Sequence, residues 1–320
     1  MRNSFRYYGF NKLGLLKALL NISNNMDYIS VLVSNLDKKD SNLPKDYINY
    51  DIIAGVDKRD LLITNDDSFE QLNNFHSQRE DWLFGYLSYD LKNEIEDLSS
   101  NNIDNFNTDN LSFFVPEYVL LLSEETLEIQ TYYSKNNCDE FVRAFNFSDL
   151  SSCSHKVSLS RRDDKTSYLK KINRIKNHIQ SGDIYEMNYC QEFYATGTKV
   201  VAESIFAELN TRMQTPFASF LKLKDKYILS ASPERFLRKI KTNILSQPIK
   251  GTRKRGDSKL TDNNLIDELR TSKKDISENV MIADLVRNDL SITAKKDTVK
   301  VEELCKVYTF KKIHHCFRIK

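Results

Sequence analysis

Apolar positions along the chain follow two rhythms. Short apolar runs without helical spacing, at residues 28–33 and 51–56, predict strands, and residues 82–89 form a further candidate. Residues 115–122 and 127–133 read as a hairpin, and residues 217–223 and 227–230 pair across Lys224-Asp225-Lys226. Helical spacing marks residues 13–20 and 205–210, and the stripe Tyr168, Ile172, Ile175 and Ile179, which Gly182 closes. The longest helical stretch runs over residues 262–289, where Leu265, Ile266, Leu269, Ile276, Val280, Met281, Leu285 and Val286 recur at helical spacing. Residues 93–108, rich in Asn, Asp and Ser, predict a loop. The polar run 148–164 predicts a linker between an amino-terminal region, 1–155, and a second region, 156–320. Strands with helices packed outside them predict an α+β sandwich.

Composition changes this picture little. A chain of 320 residues, 40% hydrophobic and 29% charged, can bury a substantial core in one large or two ordinary domains. A net charge of +2 gives no basic footprint for nucleic acid. Five cysteines, an odd number with no Cys-x-x-Cys pair, argue against a zinc site and a complete disulfide framework, which predicts a reducing, cytoplasmic setting. No segment offers about 18 uninterrupted apolar residues, so no membrane partner is expected. None of the eight glycines falls in a nucleotide-phosphate pattern.

The candidate chemistry lies in Ser246-Gln247-Pro248-Ile249-Lys250-Gly251-Thr252, read as a rigid turn, and in Ser232-Pro233-Glu234-Arg235-Phe236. Together they offer an amine and a carboxyl on neighbouring strand ends. A lysine that is desolvated or set beside cations such as Arg253, Lys254 and Arg255 can act as a nucleophile. A neighbouring glutamic acid, kept neutral by burial or by negative charge, can protonate a departing hydroxyl. Residues 250–256 equally suit an exposed basic hairpin tip. In the long helix, Asp275 and Glu278 share a face, with Ser272 placed as a cap in a Ser-x-x-Asp box. Surface charge and capping alone would account for them.

The string from Glu268 to Leu290 resembles the signature helix of the chorismate-utilising enzymes. With the Ser-Pro-Glu-Arg-Phe and Pro-Ile-Lys-Gly-Thr segments, Gly182–Gln191 and Asp81–Asp90, it resembles the aminodeoxychorismate synthase component I group within them. Lys250 separates that group from the anthranilate synthases, which resemble alanine at this position. The resemblance implies two large, mostly antiparallel sheets facing each other with helices outside. It implies amination of chorismate to 4-amino-4-deoxychorismate, on the way to 4-aminobenzoate and folate. The ammonia would come from a glutamine amidotransferase subunit. By the same resemblance Lys250 attacks the ring and Glu234 is the general acid. His314 lies near the leaving group, Gly251 and Thr252 meet the substrate, and Asp275 and Glu278 help to hold Mg2+. The amino-terminal half of such proteins can house an amino-acid pocket. Anthranilate or isochorismate synthesis, or a non-catalytic fragment, are the alternative expectations. In relatives, the sequence after a segment like Val301–Ile313 continues with further magnesium and substrate ligands. His315–Lys320 departs from that pattern, so the resemblance implies a truncated chain with carboxy-terminal strands missing and little catalysis.

Overall fold

The computed structural model describes residues 1–36, 49–100, 102–150 and 157–319, with the backbone alone at 304 and 315–319. The first elements are β1 (Asn3–Tyr8), α1 (Lys12–Ile22), β2 (Tyr28–Val33), β3 (Ile52–Thr64), α2 (Ser68–Arg79) and β4 (Phe84–Leu87). The hairpin of β5 (Leu111–Ser123) and β6 (Thr126–Thr131) and then α3 (Lys135–Arg143) follow. Next come β7 (Ser160–Arg161), α4 (Lys165–Ser181), β8 (Phe193–Tyr194) and α5 (Ala202–Met213). The chain continues through β9 (Phe217–Leu223), β10 (Lys226–Ser232), β11 (Arg235–Ile240), β12 (Asn243–Gln247) and β13 (Ile249–Lys254). It closes with α6 (Lys259–Thr271), α7 (Lys273–Thr293), β14 (Glu303–Thr309) and β15 (Ile313–Ile319). Every described strand pairing is antiparallel, and the fold is α+β.

The main sheet has eight strands in the order β1-β6-β5-β3-β2-β9-β10, with β4 paired to β5. It draws strands from both sides of residue 155. The other described sheets are β13-β15-β14, β11-β12 and β7-β8. Two compact units result: Met1–Leu150 with Phe206–Lys320, and Ser151–Ile205. In the second, α4 starts on Asp164, whose side chain accepts the Ser167 N–H, and ends at Gly182 in the left-handed conformation (φ 81). Of the expected linker, residues 151–156 lie outside the described residues.

A strand buried on both faces has no polar side to alternate with, so β2 reads as an apolar run interrupted only by Ser30. Tyr28, Phe84, Phe114, Val119, Leu121, Leu221 and Leu223 form a cluster to which β2, β4, β5 and β9 all contribute. Gly55 is required beside it, because a Cβ there would come within 2.6 Å of the Phe84 ring. A charged pair is buried with this apolar sheet. Arg2 Nε donates to Asp81 Oδ1 at 2.7 Å, and the two side chains are 7% and 8% exposed. Its Nη atoms donate to the carbonyls of Pro116, Glu117 and Gln130, so the guanidinium has acceptors on every side. Burial pushes the Asp81 carboxyl up, but hydrogen bonds from Arg2, Tyr132 and the Trp82 N–H outweigh it and hold the carboxyl below the usual range.

The stretch 262–289 does not form one helix. Ser272 takes an extended conformation (φ −63, ψ 110), ending α6 and capping α7 through its side chain, which accepts the Asp275 N–H at 3.3 Å. Capping by Ser272 matches the sequence reading, and the break at the same residue corrects it.

Candidate functional site

Glu234 stands at the entry to β11, its N–H donated to Ser232 Oγ at 3.1 Å. Its Oε1 accepts the Ile249 N–H at 3.2 Å, which places the carboxyl beside the residue that precedes Lys250. Glu234 is exposed and Lys250 half-buried. The burial that a general acid would need is therefore not supplied to Glu234 by the described residues. Gln247 is fully buried, and its Oε1 accepts Arg235 Nη1 at 2.7 Å. The Arg235 guanidinium in turn lies 4.7 Å from the centre of the Phe217 ring on β9. This brace ties the segment carrying Glu234 to the main sheet.

Pro248-Ile249-Lys250-Gly251-Thr252, expected as a turn, runs into strand β13. Gly251 (φ +83) sits where the β13–β15 register slips between Ile249 and Thr252. A Cβ on Gly251 would lie 3.0 Å from Leu269 Cδ1 and 3.1 Å from Asp275 Oδ1, so the strand meets both α6 and α7 at close range. Two further contacts fasten it. Asn279 Nδ2 donates to the Lys250 carbonyl at 2.8 Å. Arg253 donates from Nε to Glu268 Oε1 and from Nη2 to Asp275 Oδ2, both at 2.9 Å. Two of the three cations expected to act on Lys250 are thus already paired: Arg253 with these two carboxylates and Arg255 with Asp262. Thr252 is exposed on β13.

Asp275 and Glu278 lie three residues apart on α7 but differ in surroundings. Asp275 is 7% exposed and held by Arg253, while Glu278 has Lys274 Nζ at 3.8 Å. No group of three His, Cys, Asp or Glu among the described residues is disposed to hold a metal ion. As placed, the pair does not fit magnesium, which needs oxygen ligands in near-octahedral array. For Asp275 to serve as one, Arg253 would have to release it.

His314 on β15 stands opposite Arg253 in register and is fully buried. Its Nε2 donates to Asp262 Oδ1 at 2.8 Å, and Nδ1 lies 2.9 Å from Thr309 Oγ1. Hydrogen bonds from Arg255, then from the Gly256 N–H, hold the Asp262 carboxyl far below the usual range, and His314 adds to them. The structure therefore gathers Glu234, Lys250, Gly251 and Asp275 around β13, and places the His314 imidazole in a closed network with α6. Sequence reasoning missed Asn279, Gln247 and Asp262 as partners of these residues. Asn279 stands in the signature string, but nothing in its spacing indicates a strand carbonyl as its acceptor. Gly182–Gln191 lies in the second unit, where Gln191 Nε2 donates to the Asp163 carbonyl at 2.8 Å. A groove of about 770 Å³ lies elsewhere, lined by Arg2, His76, Arg79, Asp81, Trp82 and Tyr132 among others and by no residue of β11–β15. No described helix is long and apolar enough to cross a membrane.

Residues 38–318 match the family model described as chorismate binding enzyme. The match takes in His315 to Arg318, which the sequence reading had set outside the pattern. Aminodeoxychorismate synthase component 1 of Escherichia coli K12 is 30% identical over 233 residues, covering 72% of this chain and 51% of that protein. Anthranilate synthase component 1 of Bacillus pumilus is 31% identical over 191 residues, covering 60% of this chain and 36% of that protein. The chain thus spans about half the length, or less, of these curated relatives. Among solved structures, the menaquinone-specific isochorismate synthase MenF of Escherichia coli aligns with a TM-score of 0.66 at 13% identity, covering 100% of this chain and 70% of that one.

Proposed function

Because the chain belongs to the chorismate-binding enzyme family, we propose that its β11–β13 site aminates chorismate to 4-amino-4-deoxychorismate. The observation that supports this reading is the hydrogen bond from the Ile249 N–H to Glu234 Oε1, which brings the carboxyl to the residue that precedes Lys250. Relatives named aminodeoxychorismate synthase component 1 support the choice of reaction.

In this reading the Lys250 amine forms a bond to a ring carbon as the C–O bond to the ring hydroxyl breaks. Glu234 donates the proton with which that hydroxyl leaves as water. Ammonia then forms the new C–N bond, the Lys250 nitrogen departs, and the proton shed by the incoming nitrogen restores the site. The sum is chorismate plus ammonia giving aminodeoxychorismate plus water. As the relatives' component 1 naming implies a second component, the ammonia would come from a glutamine amidotransferase subunit.

Purified protein supplied with chorismate and ammonium, with products resolved by mass spectrometry, tests the reading. Aminodeoxychorismate should form, Lys250→Ala should abolish it, and glutamine should replace ammonium only when the partner is present. Anthranilate or isochorismate as product would assign the site instead to the chemistry named for other relatives. Full amination by Lys250→Ala would remove the nucleophile from the account.

A further inference from the structure

We propose that Asn279 is a positioning residue for Lys250, an inference that rests on the role given to Lys250 above. Asn279 is 3% exposed on α7, and its Nδ2 donates at 2.8 Å both to the Asp275 carbonyl one turn earlier and to the Lys250 carbonyl across the helix–strand contact. One amide group therefore ties the lysine's own peptide unit to the helix that carries Asp275.

The neighbouring residue makes this tie matter. Gly251 has a positive φ and no side chain, so it leaves the backbone after Lys250 with more conformational freedom than any other residue would. The β13–β15 register is irregular between Ile249 and Thr252, so ladder pairing does not fix Lys250 either. The Asn279 bond acts at the point where both ordinary restraints are weak. It sets where the lysine side chain leaves the strand, and hence where its amine stands relative to Glu234. Positioning of this kind acts on reaction geometry, where a displacement of about 1 Å can cost a hundredfold in rate.

Asn279→Asp puts an oxygen where the shared donor stands, facing two carbonyls, and Asn279→Ala removes the donor without adding charge. The readout is trace acetylation of the intact chain with acetic anhydride, with Lys250 and Lys254 quantified in peptides by mass spectrometry. Lys250 is half-buried and Lys254 exposed on the same strand. In the unsubstituted protein Lys250 should label more slowly than Lys254. Both variants should raise the Lys250:Lys254 ratio about fivefold, the factor that one net hydrogen bond is worth. Phe75→Ala, a destabilising change in α2, serves as control and should leave the ratio unchanged. A ratio unaltered in whichever Asn279 variant retains a cooperative thermal transition overturns the proposal, whatever the activity. An altered ratio combined with full amination by Lys250→Ala upholds the positioning role and defeats the amination reading. If the ratio rises equally in Phe75→Ala, the effect is general loosening and the proposal fails.

Discussion

In β2 five of six residues are buried, whereas in β11 none is. The two strands belong to one compact unit yet are held by different forces. Around β2 the main sheet buries Ile29, Phe114, Leu120 and Phe220 completely, and its charged pair, Arg2 with Asp81, is enclosed with all partners supplied. Around β11–β13, large apolar side chains stay open, with Phe236 80%, Leu237 50% and Leu285 54% exposed. There β13 is fastened to its helices by Arg253 and Asn279, Arg255, just after it, binds Asp262, and His314 fastens β15 to the same aspartate. Apolar burial is non-directional and fixes a whole sheet, while hydrogen bonds fix particular atoms. The reaction proposed for this region, which needs an amine and a carboxyl held in register, calls for the second kind.

The comparison can be broken first where it expects the largest effects. Phe114→Ala should cost about 3–5 kcal/mol, read by urea denaturation, because a filled core position becomes a cavity. Arg2→Ala should cost a similar amount, about 3–5 kcal/mol, because it leaves the Asp81 carboxylate buried without its cation. If either change costs no more than a surface substitution, the main sheet is not the stable half. The same pair sets an acid limit. The Asp81 carboxyl is held below its unfolded value, so its contribution is present above about pH 4 and is lost as pH falls through the lower folded value. Asp81→Asn should flatten that part of a stability–pH profile.

Smaller effects belong to the polar layer. His314→Ala should cost about 1–3 kcal/mol by leaving Asp262 Oδ1 and Thr309 Oγ1 without this partner. Gly251→Ala should cost about 1–3 kcal/mol, since a positive φ and contacts near 3 Å both oppose a Cβ. Lys274→Ala should change stability by no more than about 0.5 kcal/mol, because its partner Glu278 is 3.8 Å away and Lys274 itself is exposed. A loss from Lys274→Ala as large as that from Gly251→Ala would show that exposed charges, not the β13 contacts, hold this layer.

What could be read beforehand follows the same division. β2 was legible to the residue, since a doubly buried strand writes itself as an apolar run, and the β5–β6 and β9–β10 hairpins were legible from their turns. α2 escaped notice because its only buried residues are Ser68 and Phe75, too few to set a period. Pro248 and Gly251 resemble turn punctuation and so predict a turn at Lys250, whereas the glycine's φ serves a strand irregularity against two helices. Glu234 and Lys250 are expected on neighbouring strand ends, and the structure brings the Glu234 carboxyl to Ile249, the residue before Lys250. The polar partners were hidden, since Arg2 finds Asp81 across 79 residues and His314 finds Asp262 across 52, with no periodic signal to link them.

The elbow at Ser272 determines what Arg253 can grasp. Glu268 and Asp275 are seven residues apart, and on an uninterrupted helix their Cα atoms would stand about 10 Å from one another along the axis. A single guanidinium holds both carboxylates at 2.9 Å. Residue count measures separation only on a straight rod, and with the helix broken at Ser272 one arginine holds a carboxylate from each of the two helices. Ser272, which ends one helix and caps the next, thus stands between the two carboxylates that clamp β13.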